Sequence, residues 1–243
     1  MTAAEPGVEA VLFDWGGTLT QWHDVDFHAE SLALAQAVVN AHHDPAEISQ
    51  RLHEAGAVVW GRSRDHQQSA TVADLFAAAG LDHDPALLSA YYDFWEPHTW
   101  TDPDVRPMLE ELRASGMRVG VLSNTIWPRE WHDGFFRRDG VLDLFHGTVY
   151  TSEIPWTKPS PLAFSTAMTA VGVTDPSRCV YVGDRLFDDV WGAQQAGLRA
   201  IHIPHSAIPP EQHGHTAGTP DAVARRLMEI PGIIASWQSS GAS

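Results

Sequence analysis

The chain has 243 residues, of which 44% are hydrophobic, and a formal net charge of -16. This length suits one large domain or a core with an inserted module, and the acidity argues against a nucleic-acid-binding surface, which needs clustered basic residues. No apolar run approaches the roughly 20 residues that span a bilayer. A single cysteine, Cys179, and a first segment without the features of a secretion signal favour a cytoplasmic protein.

Five short apolar runs predict buried strands, and amphipathic patterns predict helices between the later ones. The predicted strands cover residues 9–13, 118–122, 146–150, 179–182 and 200–203. The predicted helices cover residues 105–115, 161–171 and 188–196, with a last helix from about residue 221. Strands that alternate with helices are typical of a doubly wound parallel sheet, so we predict an α/β fold with a Rossmann-like core.

The segment between the first two predicted strands contains helical patterns only. Its apolar residues form four stripes with i, i+3, i+4, i+7 spacing, which include Leu34, Leu52, Leu75 and Tyr91. Such stripes predict four amphipathic helices that pack into a small bundle. We therefore predict two domains, a core made of residues 1–19 and 101–243 and an inserted helical cap made of residues 20–100.

Polar residues follow the carboxyl ends of the predicted strands, where open parallel sheets bind ligands. Asp14 follows the first strand, Ser123 and Asn124 follow the second, and Asp184 follows the fourth, with Asp189 soon after. If the first and fourth strands are neighbours, three carboxylates converge. Two of them about 4 Å apart repel by about 4 kcal/mol at an effective dielectric constant of 20. A cation is therefore expected, and an all-oxygen site favours Mg²⁺.

Lys158 is the one lysine of the chain, and it lies in Thr157-Lys158-Pro159 after the third predicted strand. Arginine supplies the other basic side chains. An ammonium is a compact point charge, whereas a guanidinium is a planar fork. A single retained lysine therefore indicates a site that needs a point charge at close quarters.

Taken together, these residues resemble the four motifs of the haloacid dehalogenase superfamily, and the resemblance covers nearly the whole chain. In order, the matches are Asp14-Trp15-Gly16-Gly17-Thr18 for Asp-x-Asp-x-Thr, Ser123 for the strand-terminal Ser or Thr, Lys158-Pro159 for the lysine motif, and Gly183-Asp184 with Asp189 for Gly-Asp-x-x-x-x-Asp. The predicted helical insertion is similar to the C1 cap of subfamily I. The resemblance implies Mg²⁺-dependent hydrolysis of a small phosphorylated metabolite, and it does not specify an oligomeric state.

The resemblance also implies a role for each matched residue. Asp14 would be the nucleophile that forms an aspartyl-phosphate. Ser123 and the backbone amide of Asn124 would bind the phosphoryl oxygens, and Lys158 would neutralise charge between Asp14 and the phosphoryl group.

The implied metal site departs from the family pattern at one position. Mg²⁺ would be held by Asp14, the backbone carbonyl of Gly16, Asp184 and, directly or through water, Asp189. The family has an aspartate where this chain has Gly16, and the side chain of that aspartate acts as general acid and base. Loss of such a group typically lowers a rate by about 10²–10⁴-fold. His23 is a candidate replacement acid, and the histidines at 205, 213 and 215 are most simply part of a loop.

Three functions remain open at this point. The first is a phosphatase that favours good leaving groups, such as anomeric, acyl or aryl phosphates. The second is a metal-independent 2-haloacid dehalogenase, whose first motif also lacks the second aspartate. The third is a catalytically silent module that retains phosphate binding. A sugar-phosphate mutase is disfavoured, since it relies on the missing acid and base.

Overall fold

The computed structural model describes residues 7–21, 25–38, 44–204 and 217–240. Its strands are β1 (Ala10–Phe13), β2 (Arg118–Ser123), β3 (Gly147–Tyr150), β4 (Cys179–Gly183), β5 (Arg199–His202) and β6 (Ala222–Val223). They form one parallel sheet with the order β3-β2-β1-β4-β5-β6. The prediction of a doubly wound parallel fold is confirmed.

Helices precede, follow and connect these strands. The α-helices are α1 (Phe27–Ala37), α2 (Pro45–His66), α3 (Val72–Ala78), α4 (Pro85–Trp95), α5 (Val105–Ala114), α6 (Arg129–Arg138), α7 (Pro161–Ala170), α8 (Gly192–Gln195) and α9 (Ile230–Ser240). A π-helix, Leu186–Trp191, leads directly into α8. None of the helices in the described residues combines the length and the apolar character that crossing a bilayer requires.

Both faces of the sheet are buried, which explains why its strands read as continuous apolar runs. Val11 and Phe13 of β1 belong to one apolar cluster, which also contains buried residues of α5, α6 and α9. Ala10 and Leu12 point to the opposite face and belong to a second cluster with α7 and α8. This alternation within one strand follows from the two-residue period of β structure.

The helices α1–α4 lie between β1 and α5 in the chain, where four helices are predicted. Asp44 and Asp84 cap the first turns of α2 and α4 with their side chains, and each is followed by a proline in that turn. Thr71 and Asp74 form a reciprocal capping box at α3. The helix α1 packs against α2 and α4, and α2 packs against α3. The boundary between cap and core domains remains a prediction.

The prediction for the end of the chain is wrong in its position. The last helix begins at Ile230 and not near residue 221, because Asp221 is hydrogen-bonded to β5 and leads into the edge strand β6. Its amide donates to the carbonyl of Ala200 (2.9 Å), and its carboxylate accepts from the amide of Ala200 (2.8 Å). Pro231 lies in the first turn of α9, where a missing N–H group does not break the helix.

Two further features differ from the predicted pattern. The helix α6 is not predicted, although Phe135 and Phe136 form its buried stripe and Pro128 precedes its first residue. The segment after β4 begins as a π-helix at Leu186, earlier than the helix predicted from residue 188. Asp189 lies in this π-helix and is buried, and π-helical turns are frequent at functional sites.

Candidate active site

The strand order brings the predicted site residues to one edge of the sheet. The strand β1 pairs with β2 on one side and with β4 on the other, and Phe13 is in register with Val121 and Val182. The segments that follow β2, β1 and β4 therefore begin side by side at the same edge of the sheet. The amide of Asp14 donates to the carbonyl of Val182 (2.9 Å), which continues the pairing for one residue beyond β1.

Three buried carboxylates meet at this edge. Asp14, Asp184 and Asp189 each offer an oxygen atom, and these atoms lie within 4.8 Å of one another. Burial raises the pKa of Asp14 to about 6, against an opposing effect of Lys158. Burial, together with the charges of Asp14 and Asp189, raises the pKa of Asp184 well above its usual range. The cluster thus holds more negative charge than its surroundings favour.

The donor set fits a hard divalent cation. Neither carboxylate oxygen of Asp184 has a hydrogen-bond partner among the described residues, although both are buried. A buried carboxylate without a partner is costly, so an ion that ligates it removes the cost. Carboxylate oxygens are the ligands that Mg²⁺ prefers. Asp184 is therefore the residue that most directly indicates a metal site.

Lys158 compensates part of this negative charge. Its ammonium donates to Oδ1 of Asp14 (2.6 Å) and to Oδ1 of Asp189 (2.6 Å). The third donated hydrogen bond goes to the hydroxyl of Tyr181 (2.8 Å). Burial opposes the charged form, but the two carboxylates outweigh it and raise the pKa of Lys158 well above its usual range. The side chain is a permanent buried cation.

Asp189 belongs to this cluster and its neighbour Asp188 does not. One oxygen of Asp189 accepts from Lys158, and the other accepts from the backbone amide of Arg185 (2.8 Å). Both oxygens are thus engaged within the protein. Asp189 therefore positions the ammonium of Lys158. Asp184 is the carboxylate of the cluster whose oxygens remain available to a metal ion.

Ser123 and Asn124 lie at the end of β2, the strand beside the one that leads into Asp14. Ser123 is the last residue of β2 and is buried. The side chain of Asn124 brackets the backbone of Lys158: its Oδ1 accepts from the amide (2.8 Å) and its Nδ2 donates to the carbonyl (3.0 Å). The family resemblance implies a role only for the backbone amide of Asn124, so this role of its side chain is not predicted from the sequence.

Tyr181 is a second residue of the site that is not predicted from the sequence. Its hydroxyl accepts from Lys158 and donates to the carbonyl of Leu122 (2.7 Å). The available signal was a tyrosine in the middle of the buried strand Cys-Val-Tyr-Val-Gly, since a buried hydroxyl needs a partner.

Gly16 is not required by its own backbone conformation. A Cβ atom at this position would contact no atom within 4 Å, and its φ is outside the left-handed region, unlike that of Gly17 at 90°. Neither the φ angle nor the space around a Cβ atom therefore requires glycine here. His23 and the histidines at 205, 213 and 215 lie outside the described residues.

The site is closed in this structure. Lys158 and the three carboxylates of the cluster are all buried. The most exposed of these four residues is Asp14, and only 6% of its surface is exposed. The turn between α2 and α3 reaches the segment that precedes Lys158. The amide of Ser69 donates to the carbonyl of Pro155 (3.2 Å), and the amide of Thr157 donates to the carbonyl of Gln67 (3.0 Å).

Aromatic rings connect Trp15, the residue after Asp14, to the inserted helices. Trp15 follows Asp14 and packs against Trp127 at a centroid distance of 5.5 Å. Trp127 in turn packs against Trp95 of α4 at 5.4 Å. The helix α4 is thus held against the loop and helix that follow β2.

The fold is of the Rossmann-like class, and the site presents the buried carboxylate of Asp14 as a candidate nucleophile. A model of the haloacid dehalogenase (HAD)-like hydrolase family matches residues 8–197, and the chain belongs to this family. The predicted family is therefore confirmed, and the protein is an enzyme of the hydrolase class.

Relatives of both predicted catalytic classes cover nearly the whole chain. The chain is 28% identical over 232 residues to the glyceraldehyde 3-phosphate phosphatase of Methanopyrus kandleri, covering 93% of this chain and 97% of that protein. An HAD phosphatase from Thermococcus onnurineus is 26% identical, with a TM-score of 0.66 and coverage of 93% and 98%. A 2-haloacid dehalogenase from Pseudomonas syringae pv. Tomato DC3000 is also 26% identical, with a TM-score of 0.64 and coverage of 95% and 99%.

Proposed function

We propose that this protein is a Mg²⁺-dependent hydrolase of a small phosphate monoester that reacts through an aspartyl-phosphate on Asp14. The observation that carries the proposal is the buried carboxylate of Asp184, which has no hydrogen-bond partner among the described residues and faces the cluster of Asp14 and Asp189. A site that excluded metal would have no use for this third buried charge. The named phosphatase relatives support the same reaction class.

In the first step, an oxygen of Asp14 attacks phosphorus, the new O–P bond forms, and the bond to the leaving oxygen breaks. Lys158 keeps the attacking group and the phosphoryl group from repelling each other, since its ammonium already contacts Asp14. Ser123 and the backbone amide of Asn124 bind the phosphoryl oxygens. In the second step, the oxygen of water attacks phosphorus, the bond between phosphorus and the Asp14 oxygen breaks, and Asp14 is released as a carboxylate. Both hydrogens of the water leave with the product, inorganic phosphate.

The metal would be held by Asp14, the carbonyl of Gly16, Asp184 and, directly or through water, Asp189. When bound, Mg²⁺ supplies positive charge beside the anionic phosphoryl group. Local positive charge is needed because the protein as a whole carries a net charge of -16.

Gly16 restricts the substrate class. Without an acid at this position, the leaving oxygen must depart as an anion or find a proton elsewhere. Aryl, acyl and anomeric phosphates have leaving groups that tolerate this, whereas alkyl phosphates do not. We therefore propose that the rate falls from aryl to alkyl phosphates by about 10²-fold or more.

The division into a core (residues 1–19 and 101–243) and a cap (residues 20–100) is part of the proposal. Because the site is buried, a substrate enters only when the inserted helices move away from the strand ends. That movement breaks the hydrogen bonds that join Ser69 to Pro155 and Gln67 to Thr157. Closure then excludes water and completes the site.

A metal-independent 2-haloacid dehalogenase is the second candidate. Gly16 favours it, because a halide leaves without a proton, and a solved dehalogenase shares the fold over nearly the whole chain. The acidic cluster argues against it, because Asp184 would then be a buried charge without a purpose.

The test measures phosphate release from aryl, acyl, anomeric and alkyl phosphates, with and without Mg²⁺, and halide release from 2-haloacids. Asp14→Asn is the matched control, since it keeps the shape of the side chain and removes the nucleophile. We expect Mg²⁺-dependent phosphate release that is lost in Asp14→Asn. Halide release without metal would instead establish the dehalogenase, and neither product would indicate a silent phosphate-binding module.

A further inference from the structure

We propose that Tyr181 is a positioning residue for this reaction: its hydroxyl holds the ammonium of Lys158 between Asp14 and Asp189. The inference rests on the proposed function, because it assumes that Asp14 is the nucleophile. It adds a residue outside the four family motifs that carry the resemblance. Tyr181 acts through Lys158 and does not touch the phosphoryl group.

Each of the three hydrogens of the Lys158 ammonium has its own acceptor. A lysine ammonium has three donors and no acceptor. Two donors reach Asp14 and Asp189 at 2.6 Å, and the third reaches the hydroxyl of Tyr181 at 2.8 Å. Every donor is thus engaged, and the three hydrogen bonds together fix the position of the group and its rotation about the Cε–Nζ bond.

The hydroxyl of Tyr181 can accept from Lys158 because its own hydrogen is used elsewhere. It donates to the carbonyl of Leu122 at 2.7 Å, so its lone pairs remain for the ammonium. The direction of donation therefore runs from Lys158 to Tyr181 and on to Leu122. Leu122 lies on β2 directly before Ser123. These two hydrogen bonds therefore connect Lys158 to the strand that carries the candidate phosphate ligands.

The ring of Tyr181 is itself immobilised. Tyr181 is fully buried in β4, and its ring packs edge-on against Phe164 of α7 at a centroid distance of 5.0 Å. A rigid neutral acceptor beneath the ammonium has a different role from the two carboxylates. It carries no charge that competes for the cation, and it determines where the cation sits.

Asn124 fixes the other end of the same residue. Its side chain holds both backbone groups of Lys158, whereas Tyr181 holds the ammonium. The flexible side chain between these two points is buried as well. Lys158 is thus held at both ends by residues that leave its two carboxylate contacts intact.

Removal of the Tyr181 hydroxyl leaves one ammonium hydrogen and the carbonyl of Leu122 without a partner in buried surroundings. The ammonium then moves to satisfy that hydrogen, and its contact with Asp14 is lost or lengthened. A misplacement of about 1 Å can lower a rate by about 10²-fold. We expect Tyr181→Phe to lower kcat by about 10- to 100-fold with KM within about twofold of the wild type, since the phosphoryl ligands are unchanged.

The matched control is Tyr150→Phe. Tyr150 is also fully buried, at the end of the edge strand β3, and its hydroxyl donates a hydrogen bond to Asp133 at 2.9 Å. Both variants lose a buried hydroxyl, so thermal unfolding should show a comparable decrease in Tm. Only Tyr181→Phe should lower kcat on an aryl phosphate with Mg²⁺ present.

The outcomes separate the two proposals. Full activity of Tyr181→Phe, with activity lost in Asp14→Asn, overturns the positioning role and leaves the proposed function standing. An equal loss of kcat in both tyrosine variants also overturns it, because the effect is then one of general stability. Retained activity of Asp14→Asn removes the proposed function and this inference with it. If Tyr181→Phe does not fold, 3-fluorotyrosine at position 181 keeps the fold with a weaker acceptor, and an unchanged kcat there would contradict the role.

Discussion

The carboxylate of Asp189 lies directly over Gly183, so a Cβ atom at Gly183 would overlap with Cγ and Oδ2 of Asp189. Asp189 in turn accepts from Lys158. Gly183→Ala must therefore displace Asp189, and we expect it to destabilise the protein by about 1–3 kcal/mol and to lower phosphate release by at least about tenfold. Urea unfolding and initial rates on an aryl phosphate measure the two effects.

Gly56→Ala is the control for that variant. Gly56 lies within α2, and a Cβ atom there would contact nothing within 4 Å. Alanine in a helix is more favourable than glycine by up to about 1 kcal/mol, so this variant should be at least as stable as the wild type. Equal stability and activity of the two glycine variants would show that the close approach at Gly183 is unimportant.

Gly16→Asp should restore the acid that the family carries at this position. A Cβ atom at this position would contact no atom within 4 Å, and the φ angle is outside the left-handed region. We expect hydrolysis of alkyl phosphates to rise by about 10- to 100-fold, with a smaller change for aryl phosphates. Gly16→Asn has nearly the same size and no acid, so an equal rise in that variant would contradict the explanation.

Asp184→Asn should change stability in opposite directions with and without metal. Without Mg²⁺ the amide avoids the cost of burying an ionisable carboxyl group that has no hydrogen-bond partner among the described residues, so we expect a higher Tm than in the wild type. Added Mg²⁺ should stabilise the wild type, by about 2.7 kcal/mol at 100 times the Kd, and should have little effect on the variant. The exposed Asp143→Asn serves as control and should respond to Mg²⁺ as the wild type does. A Mg²⁺ response that survives in Asp184→Asn would exclude this residue as a ligand.

His132 should make the protein less stable in mild acid. It is fully buried, and burial, with a smaller effect of Arg129, lowers its pKa to about 3. In the unfolded chain its pKa is about 6.5. Below pH 6.5 the unfolded state binds a proton that the folded state excludes, so the free energy of unfolding decreases as pH falls towards 3.

The decrease from this group amounts to about 2 kcal/mol at pH 5. His132→Phe removes the titration and also the hydrogen bond to Thr125 (3.0 Å), which adds an offset that does not depend on pH. Urea unfolding of both proteins at pH 7.5 and pH 5 isolates the difference, because Asp14 and other titrating groups are common to both. A stability gap that is the same at both pH values would contradict the assignment.

The sequence indicated the strands and the strand-end residues because both depend on short stretches of chain. Buried parallel strands appear as apolar runs, and the runs that end at Phe13 and Val182 lead directly into Asp14 and Gly183-Asp184. Lys158 was found by its rarity. The positions of the later elements were less accurate: periodicity shows which residues are buried but not which element covers them, so the helix α6 was missed and the start of α9 was placed too early.

By itself, the sequence determined the fold class, the order of the site residues and the loss of the acid at position 16. Each of these depends on the residue types within a short stretch of chain. Only the tertiary structure decided which groups meet. Lys158 and Asp14 are 144 positions apart, and Asn124 is 34 positions from the backbone that it holds. Tyr181 reads as a core residue until the strand order places its hydroxyl under the ammonium. Hydrogen bonds between distant segments depend on strand order and register, and a single sequence does not encode them in any local pattern.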